Sequence, residues 1–445
     1  MSENDMEVIR EGLVEIYVPK FEKVSASAPV FYNSRMELNR DISILALQTF
    51  QEESQREINI CDVFGGSGIR AIRYKKEIDG VGEVFANDIS SLAIEQSKNN
   101  AIYNDVEIEI HQKEANIILR ENRGFFDVID IDPFGTPSYF MDSTAYSLKK
   151  DSLLCVTATD TSALCGTYIE PCIRKYNAKP YKSEYCHETG IRILAGFVSL
   201  TLAKYKKYIE EIKLSHSSEH YMRLYIKINK GSAQTDESLA NNIGHIVHCK
   251  KCLYRESTIG LTTSIPEFCP ICGEKMVVAG PLWIGKLQNH DFIAKMISKL
   301  DSNNNLNNNL NNEIINSNIE SNSDIRSNSN IESNSDIMCN SNIGSNSNIE
   351  CNINSDYNSS FKINTEKKVL KLLNNCLEEA DAPITFYDIH VICRNLKISA
   401  PKLDLIIAKL KEDGFLAIKT HFSPIGIKTD IGIERLKYTI KSLVI

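Results

Sequence analysis

The sequence has no long uninterrupted apolar run. A membrane-spanning helix needs roughly 18 or more consecutive apolar residues, and no window of this chain provides them. Residues 1–5 (MSEND) are polar and acidic, so they lack the basic and apolar segments of a secretory signal peptide. These absences argue against a membrane protein and indicate a cytoplasmic location.

Disulfide bonds are not expected, because they do not persist in the cytoplasm. The chain has 13 cysteines, but thiols in a cytoplasmic protein stay reduced and serve as metal ligands or reactive groups. Its hydrophobic content of 42% and charged content of 24% are typical of a soluble globular protein. At roughly 100–200 residues per domain, 445 residues predict two or three domains.

A net positive charge is missing as well, since the formal charge is −8. The negative charge is concentrated in residues 302–361, which hold seven acidic residues and one basic residue. Residues 362–445 hold 14 basic and 10 acidic residues and are therefore basic. A basic terminal segment behind a nearly neutral body is consistent with a nucleic-acid substrate.

Residues 58–132 repeat a unit of short apolar strand, turn and polar helix. Strands are predicted at residues 58–64, 83–86, 106–110, 128–131 and 153–157, and helices at residues 69–76 and 91–99. Strands that alternate with helices predict an α/β fold, with a parallel sheet covered on both faces. Ligands of such folds bind at the carboxyl ends of the strands.

A glycine-rich turn, Gly65-Gly66-Ser67-Gly68, follows the first strand and lets a ligand approach the backbone closely. Acidic residues end three successive strands, namely Asp62, Asp88 and Glu114. Asp88 lies where such folds hydrogen-bond a ribose. Residues 66–71 also match the dinucleotide pattern G-x-G-x-x-A, so a nicotinamide dinucleotide competes as the ligand. A glycine turn without any ligand is the simpler alternative.

The fourth strand ends in Asp132-Pro133-Phe134-Gly135. A carboxylate accepts hydrogen bonds from an exocyclic amine, and an aromatic ring stacks on a flat base. An ordinary strand-ending turn uses the same residue types. The acidic strand ends upstream favour a nucleoside cofactor beside an amine acceptor over a nicotinamide.

Two C-x-x-C pairs form the strongest motif. Cys249 and Cys252 are separated from Cys269 and Cys272 by 16 residues, a spacing typical of zinc sites. Four thiolates complete a tetrahedral site and leave no open position, so the motif predicts a structural zinc ribbon. A redox pair of the thioredoxin type is the alternative, but it needs only one C-x-x-C.

Two further segments carry reactive or charged side chains. Cys186 and His187 are the residue types of a nucleophile pair, but neighbours on one backbone seldom face each other, so we expect a packing or substrate-contact role. A helix is predicted at residues 191–212 and a strand at 222–228. Near the amino terminus, the helical period of the apolar residues leaves Arg40 and its two neighbours off the apolar face. A solvated helix face is the simpler interpretation there.

Residues 302–361 are rich in asparagine and serine, with one isoleucine in every five or six residues of the repeat. So few apolar side chains cannot offset the entropy of ordering the segment. A short β-solenoid also fits the period, but a disordered linker is favoured. Beyond it, helices are predicted at residues 366–380, 387–396 and from 399, with a strand at 415–421. That order suggests a winged-helix-like module, which binds either nucleic acid or protein.

The order of these motifs resembles the tRNA guanine-26 N2-dimethyltransferases of archaea and eukaryotes. The matching segments are Val30-Phe31-Tyr32-Asn33 with Met36, Asn39-Arg40-Asp41, Gly68-Ile69-Arg70, Asn87-Asp88-Ile89, Asp132-Pro133-Phe134-Gly135, Val156-Thr157-Ala158-Thr159-Asp160, Leu164-Cys165-Gly166, Cys186-His187-Glu188 and Thr420-His421-Phe422-Ser423-Pro424. The resemblance covers nearly the whole chain. Residues 302–361 depart from the compact pattern of the family.

Together with the motifs described above, this resemblance predicts four parts. They are a class I, Rossmann-like S-adenosylmethionine-dependent methyltransferase domain (1–230), a zinc-ribbon-containing region (231–300), the linker (301–361) and a winged-helix-like α+β module (362–445). The resemblance also implies S-adenosyl-L-methionine as methyl donor and a tRNA substrate. The cysteine spacing predicts a structural Zn²⁺, and we expect no membrane and no obligate protein partner. The reaction would convert the N2 amine of guanosine-26 to N2-methyl- and N2,N2-dimethylguanosine.

The resemblance also implies residue roles. The expected cofactor contacts are Arg40, Arg70, Asp88, Glu114 and Ala115, and the expected catalytic residues are Asp132, Pro133 and Phe134. Asp132 would act as hydrogen-bond acceptor or general base on a guanine that is flipped out of its stack. The alternatives are an amino-methyltransferase that acts on another RNA or on DNA, and an RNA-binding protein with an inactive methyltransferase fold.

Overall fold

The computed structural model describes residues 6–20, 30, 32–302 and 361–444. The described residues 6–297 and 361–444 belong to one compact unit. Phe31 and residues 303–360 of the predicted linker lie outside the described residues. Within the described ranges, no helix is both long enough and apolar enough to cross a membrane.

The amino-terminal segment forms a hairpin. Its strands are β1 (Met6–Glu11) and β2 (Val14–Pro19), which pair antiparallel. A short 3-10 helix (Ser34–Met36) leads into α1 (Glu37–Ser54). Because most of α1 is buried, the segment after the hairpin forms an inner wall of the molecule.

A seven-stranded sheet forms the centre of this unit. Its strands are β3 (Ile58–Asp62), β4 (Val81–Asp88), β5 (Glu109–Gln112), β6 (Val128–Ile131), β7 (Ser152–Ala158), β8 (Lys207–Ser218) and β9 (Tyr221–Lys230). The order is β5-β4-β3-β6-β7-β9-β8, with β3 to β7 parallel, and β9 antiparallel to both β7 and β8. The predicted α/β fold with a mostly parallel sheet is therefore confirmed.

Helices connect these strands and cover the sheet. They are α2 (Ile69–Glu77), α3 (Ser91–Tyr103), α4 (Ala115–Glu121), α5 (Met141–Ser147), α6 (Thr161–Leu164), α7 (Ile169–Tyr176) and α8 (Cys186–Ala203). The helix predicted at residues 191–212 is wrong beyond residue 203. Lys206 has a φ of 55°, which ends the helical path, and the following residues pair with β9 as an edge strand.

The segment after β9 adds α9 (Ser232–Asn242) and a small antiparallel sheet. Its strands are β10 (Ile243–His248), β11 (Arg255–Ile259) and β12 (Val277–Trp283), with β10 in the middle. Gly196 lets α8 pack directly on this sheet, since a Cβ there would lie 2.9 Å from Leu282 Cα. A further helix, α10, covers residues 290–302.

Residues 361–444 form a helical segment with a three-stranded sheet. The elements are α11 (Glu366–Glu378), β13 (Tyr387–Asp388), α12 (Ile389–Leu396), α13 (Leu403–Glu412), β14 (Ala417–Thr420), β15 (Ser423–Thr429) and α14 (Ile433–Ser442). The strand order is β13-β15-β14. The three predicted helices are present, but residues 387–388 belong to a strand rather than to the second helix.

Buried polar contacts fix this carboxy-terminal segment to the central sheet. The Glu188 carboxylate on α8 lies 2.9 Å from Lys428 Nζ and 2.9 Å from Arg192 Nη2. It also accepts a hydrogen bond from the backbone N–H of Thr385 at 2.9 Å. On α1, the Asp41 carboxylate accepts hydrogen bonds from the backbone N–H and the hydroxyl of Thr365, at 2.9 and 2.7 Å. These contacts hold the two parts of the chain together.

Candidate active site

A cavity of about 520 Å³ opens where the carboxyl ends of β3 and β6 lie side by side. The strand order reverses at this point, and ligands of doubly wound sheets bind at such reversals. The volume is in the range of small-molecule sites. The cavity is lined by Tyr32, Asn33, Arg35, Met36, Arg40, Asp62, Phe64, Gly65, Gly66, Ser67, Ile69, Arg70, Asp88, Ile89, Ser90, Ala93, Asp132, Pro133, Phe134, Thr159, Glu219, His220 and Tyr221.

The glycine turn and Asp88 form one side of the cavity. Asp88 Oδ2 accepts a hydrogen bond from Gly66 N at 3.0 Å, and its Oδ1 accepts from Ser90 N at 2.9 Å. Gly68 has a φ of 82°, and a Cβ there would lie 2.4 Å from Ser97 Oγ. Glycine is therefore required at this position for both conformation and space. The turn and the Asp88 carboxylate are held in one geometry at the cavity edge.

Asp62 ends β3 at the base of the cavity and is buried. Neither of its carboxyl oxygens makes a hydrogen bond of normal geometry to the described residues. Burial raises the pKa of Asp62 to about 7, and the positive charge of Arg70 and the backbone N–H of Phe64 offset this only in part. A buried carboxyl group without a good partner suits a ligand that brings a cation or a strong donor. The sequence marks Asp62 only as one of three acidic strand ends.

Asp132, Pro133 and Phe134 lie together at the end of β6, as the sequence predicts. Asp132 is partly buried and forms an ion pair with Arg70. Pro133 is buried, whereas Phe134 is 54% exposed. The backbone N–H of Gly135 donates to Thr159 Oγ1 at 2.7 Å, which ties this turn to the end of β7. The cavity therefore places a carboxylate and an aromatic ring next to one another.

A buried network supports Arg70 from behind. Asp130 accepts hydrogen bonds from Arg223 Nη1 and Nη2, both at 2.7 Å, and from the Tyr74 hydroxyl at 2.6 Å. Burial alone would raise the pKa of Asp130, but the charges of Arg223 and Arg70 lower it to about 2. Arg70 Nη1 lies 3.5 Å from Asp130 Oδ2. The carboxylate therefore stays ionised and anchors both guanidinium groups.

Arg40 also lines the cavity, but its charge is already paired. Its Nε donates to Glu11 at 2.7 Å, and its Nη2 donates to the carbonyl oxygen of Asn33 at 3.0 Å. The guanidinium lies 5.3 Å from the centre of the Tyr32 ring. Arg40 and its neighbours Asn39 and Asp41 are all buried, so the interpretation of a solvated helix face is wrong. Arg40 joins the amino-terminal hairpin to the cavity wall.

Glu114 and Ala115 are not among the lining residues of this cavity in the described part of the chain. Glu114 caps α4, where its carboxylate accepts from Asn116 N at 2.9 Å and from Ile117 N at 3.2 Å. Ala115 is buried as the first residue of α4. Asn87 links this turn to the cavity side, because its Nδ2 donates to the carbonyl oxygens of Val63 and Lys113. The contact of Glu114 and Ala115 with a cofactor stays a prediction.

One wall of the cavity has no motif in the sequence that predicts it. The turn between β8 and β9 and the first residue of β9 supply Glu219, His220 and Tyr221. Thr159, at the end of β7, lies instead in a segment that the family resemblance includes. The edge strand that leads to the unpredicted wall lies within a segment predicted to be partly helical. The apolar residues of this segment are Tyr208, Ile209, Ile212 and Leu214. They do not alternate strictly, because the pairing with β9 shifts register between Ile209 and Glu211 and again between Ile212 and Leu214.

The four predicted zinc ligands lie together between the strands of the small sheet. Cys249 Sγ lies 3.5 Å from Cys272 Sγ, and Cys252 Sγ lies 3.4 Å from Cys269 Sγ. All four sulfur atoms lie within 4.8 Å of one another. Four soft thiol ligands at this spacing fit a tetrahedral structural metal site. The group lies outside the cavity lining, so its expected contribution is to stability.

Comparisons with known proteins agree on one family. A family model described as "N2,N2-dimethylguanosine tRNA methyltransferase" matches residues 12–323 and 340–441. A protein of Methanobrevibacter smithii named tRNA (guanine(26)-N(2))-dimethyltransferase is 56% identical over 444 residues, which cover 100% of this chain and 99% of that protein. One with the same name from Methanothermobacter thermautotrophicus is 46% identical, covering 98% and 99%.

A solved structure is similar over the same length. It is described as Trm1 from Pyrococcus horikoshii in complex with S-adenosyl-L-methionine. The two structures superpose with a TM-score of 0.76 at 32% sequence identity, covering 98% of this chain and 99% of that one. The likeness therefore extends over the cavity, the cysteine sheet and the carboxy-terminal segment together.

Proposed function

The chain belongs to the N2,N2-dimethylguanosine tRNA methyltransferase family, and on this basis we propose that it methylates the N2 amine of guanosine-26 in tRNA. The methyl donor is S-adenosyl-L-methionine, the molecule bound to the related Pyrococcus protein. The products are N2-methyl- and N2,N2-dimethylguanosine. One observation carries the proposal: the cavity combines a glycine turn, Asp88 and the Asp132-Pro133-Phe134 turn at one strand reversal.

The cofactor side of the cavity fits a nucleoside that carries an amino-acid chain. Asp88 presents a fixed carboxylate beside the glycine turn, which suits ribose hydroxyls. Asp62 presents buried oxygens without a good partner, which suits an ammonium group. When it is bound, S-adenosylmethionine supplies an electrophilic methyl group on a sulfonium. Arg40, Arg70, Glu114 and Ala115 complete the proposed cofactor set.

The acceptor side orients a poor nucleophile. The lone pair of an aryl amine is delocalised into the ring, so the amine reacts slowly unless it is held in the correct direction. Asp132 accepts an N–H of the amine, Pro133 shapes the turn, and Phe134 stacks on the base. Because Arg70 holds Asp132 in place through an ion pair, the main task of this carboxylate is to position the amine as a hydrogen-bond acceptor.

The remaining parts of the proposal concern organisation. Residues 1–230 form a class I, Rossmann-like methyltransferase domain, residues 231–300 contain a zinc ribbon, and residues 362–445 form a winged-helix-like module. Residues 301–361 connect these parts. The basic charge of the last module suits the tRNA backbone. A cytoplasmic location follows from a tRNA substrate.

A methylation assay with matched RNA substrates tests this function. The protein is incubated with labelled S-adenosylmethionine and one of three nucleic acids: a tRNA transcript, the same transcript with adenosine at position 26, or duplex DNA. Mass spectrometry of the nucleosides is expected to find N2-methylated guanosine only in the first. Methylation of the adenosine-26 transcript to the same extent would assign another target, and methylation of the DNA would support the alternative amino-methyltransferase.

A further inference from the structure

Three side chains outside the cysteine sheet and outside the cavity lining form a second group of metal-ligand type. The sulfur atoms of Cys165 and Cys186 and a ring nitrogen of His187 lie within 4.8 Å of one another. Cys165 Sγ lies 3.8 Å from His187 Nδ1. Both cysteines are free thiols. Neither the cofactor nor the base needs these residues in the site described above.

The fold brings this group together from distant parts of the chain. Cys165 ends α6, and Gly166 follows with a φ of 83°. A Cβ at Gly166 would lie 2.7 Å from Lys182 N, so this loop is pressed against the segment that begins α8. Cys186 and His187 are the first two residues of α8. The close backbone contact therefore directs Cys165 towards the start of that helix.

The distances match those that a tetrahedral metal imposes. With Zn–S bonds of about 2.3 Å and Zn–N bonds of about 2.05 Å, neighbouring ligand atoms lie roughly 3.6–3.8 Å apart. The Cys165–His187 distance of 3.8 Å lies slightly above the roughly 3.6 Å that these bond lengths give for a sulfur–nitrogen pair. The predicted four-cysteine site of the same chain has sulfur–sulfur distances of 3.5 and 3.4 Å. Both groups therefore hold ligand atoms at about the separation that a tetrahedral ion needs.

We propose that Cys165, Cys186 and His187 form a second metal site, which holds a thiophilic divalent cation, zinc. The Ser217 hydroxyl lies 3.2 Å from His187 Nδ1 and fills the fourth position in place of water. The site is distinct from the four-cysteine ribbon and has a different ligand set, with two thiolates, one imidazole and one oxygen. It does not depend on the function proposed above.

The position of the site gives it a structural task. Ser217 lies near the end of β8, and the turn that follows carries Glu219, His220 and Tyr221 of the cavity wall. Cys165 follows α6, which begins two residues after Thr159, also a lining residue. A metal ion would therefore join the ends of β7 and β8 to the start of α8. The joined segments carry Thr159, Glu219, His220 and Tyr221 of the cavity lining.

Zinc content of the full-length protein tests the site. Protein purified with zinc under anaerobic, reducing conditions is expected to contain about two ions per chain. The variants Cys165→Ser, Cys186→Ser and His187→Asn should each contain about one, and Cys249→Ser should also contain about one because the second site survives. Cys172→Ser, which alters another buried free thiol nearby, should keep the full content.

Cobalt replacement makes the test independent of stability. Co²⁺ in a site with two thiolates gives weaker sulfur-to-metal charge-transfer absorption than Co²⁺ in a site with four. The Cys249→Ser protein should therefore keep a weak tetrahedral cobalt spectrum. The double variant Cys249→Ser with Cys186→Ser should lose that spectrum. Circular dichroism verifies that each variant is folded. The proposal would be overturned if the unaltered protein contained one zinc ion and Cys165→Ser contained the same amount. A Cys165–Cys186 disulfide in the reduced preparation would also overturn it.

Discussion

The Arg70 guanidinium contacts the Asp132 carboxylate inside the cavity, at the carboxyl end of β6. Arg70 is itself held by Asn39 Oδ1 at 3.0 Å and by the Asp130 carboxylate at 3.5 Å. The ion pair fixes the Asp132 carboxylate at the edge of the cavity, where it can accept a hydrogen bond from the amine. The geometry therefore favours hydrogen-bond acceptance and positioning as the work of Asp132.

Asp62→Asn should weaken the binding of S-adenosylmethionine by about tenfold to a hundredfold, because a charged hydrogen bond to a buried group is lost. Without ligand, burial raises the pKa of Asp62 from 3.8 to about 7. A cation in the cavity reverses this shift, so binding at about pH 6 should release a proton. Titration calorimetry in two buffers of different ionisation enthalpy measures the release. An Asp62→Asn protein that releases the same proton would contradict this role.

The same raised pKa has a consequence for stability. The folded protein without ligand holds the Asp62 proton more tightly than the unfolded chain, so its contribution to stability falls as the pH rises from about 4 to about 7. Asparagine does not titrate, so Asp62→Asn does not lose this stability as the pH rises. The melting temperature of Asp62→Asn relative to the unaltered protein should therefore rise between pH 5 and pH 8, as differential scanning fluorimetry without cofactor would record.

Lys428→Met should lower the free energy of unfolding by about 3 kcal/mol, because it leaves the buried Glu188 charge with fewer partners. Burial would raise the pKa of Glu188, but Lys428 and Arg192 lower it to about 2. Stability from this pair is present above the ordinary value of 4.5 and is lost as the pH falls towards about 2. Urea unfolding should show a smaller difference in the free energy of unfolding between Lys428→Met and the unaltered protein at pH 3 than at pH 7.

Lys419→Met is the matched control for that experiment. Lys419 pairs with Asp404 at 2.8 Å, but the two side chains are 52% and 79% exposed. Exposed ion pairs contribute only about 0–1 kcal/mol. Equal losses in Lys428→Met and Lys419→Met would show that the buried pair does not secure the carboxy-terminal segment.

Gly68→Ala should destabilise the protein and weaken cofactor binding, whereas Gly124→Ala should leave cofactor binding intact. Both glycines have positive φ, 82° and 73°, so both substitutions carry a strain of about 1–2 kcal/mol. Only the Cβ at Gly68 meets an atom, Ser97 Oγ at 2.4 Å, while the one at Gly124 has nothing within 4 Å. Thermal melts and cofactor titrations compare them. Equal cofactor affinities in the two variants would contradict the assigned role of the turn.

Cys249→Ser should remove one zinc ion and loosen the carboxy-terminal segment. The turn that holds Cys249 and Cys252 contacts that segment, because Lys437 Nζ donates to the Cys252 carbonyl oxygen at 2.8 Å. Asn395 Nδ2 also donates to the Lys251 carbonyl oxygen at 3.0 Å. Hydrogen exchange should become faster in the turn and in α12. Unchanged exchange after loss of the metal would mean that the ribbon has no bracing role.

Local pattern was enough to predict most of the central sheet. The apolar run 128–131 is the observed β6, and the strands at 58–64 and 153–157 differ from β3 and β7 only at their ends. The third strand is shifted to Glu109–Gln112. An apolar strand followed by a turn and a polar helix is a short-range signal, so it survives without tertiary information.

The supports of the site could not be predicted in the same way. Asp130 pairs with Arg223, which is 93 residues away, and no local pattern connects them. The ion pair between Arg70 and Asp132 spans 62 residues. The sequence assigns these two residues to the cofactor and to the base separately. Because the pairing depends on how strands lie side by side, only the folded sheet shows that the two act together.

The adjacent residues Cys186 and His187 are a second case in which the sequence alone does not predict the arrangement. Neighbours on one backbone seldom converge, and the sequence therefore predicts packing or substrate contact for them. The structure brings in Cys165 from the end of α6, so that three ligand atoms lie within 4.8 Å. The close approach of Gly166 to the backbone of residue 182 makes this possible, and such a contact has no short-range signal.

The central claim is that Asp132 positions the guanine amine for methyl transfer. The most direct measurement compares Asp132→Asn with the exposed control Asp404→Asn in turnover on guanosine-26 tRNA and in affinity for S-adenosylmethionine. The account predicts that Asp132→Asn lowers turnover by about a hundredfold or more, while its cofactor affinity stays within about threefold of that of the control. Near-normal turnover of Asp132→Asn on that tRNA would contradict the account.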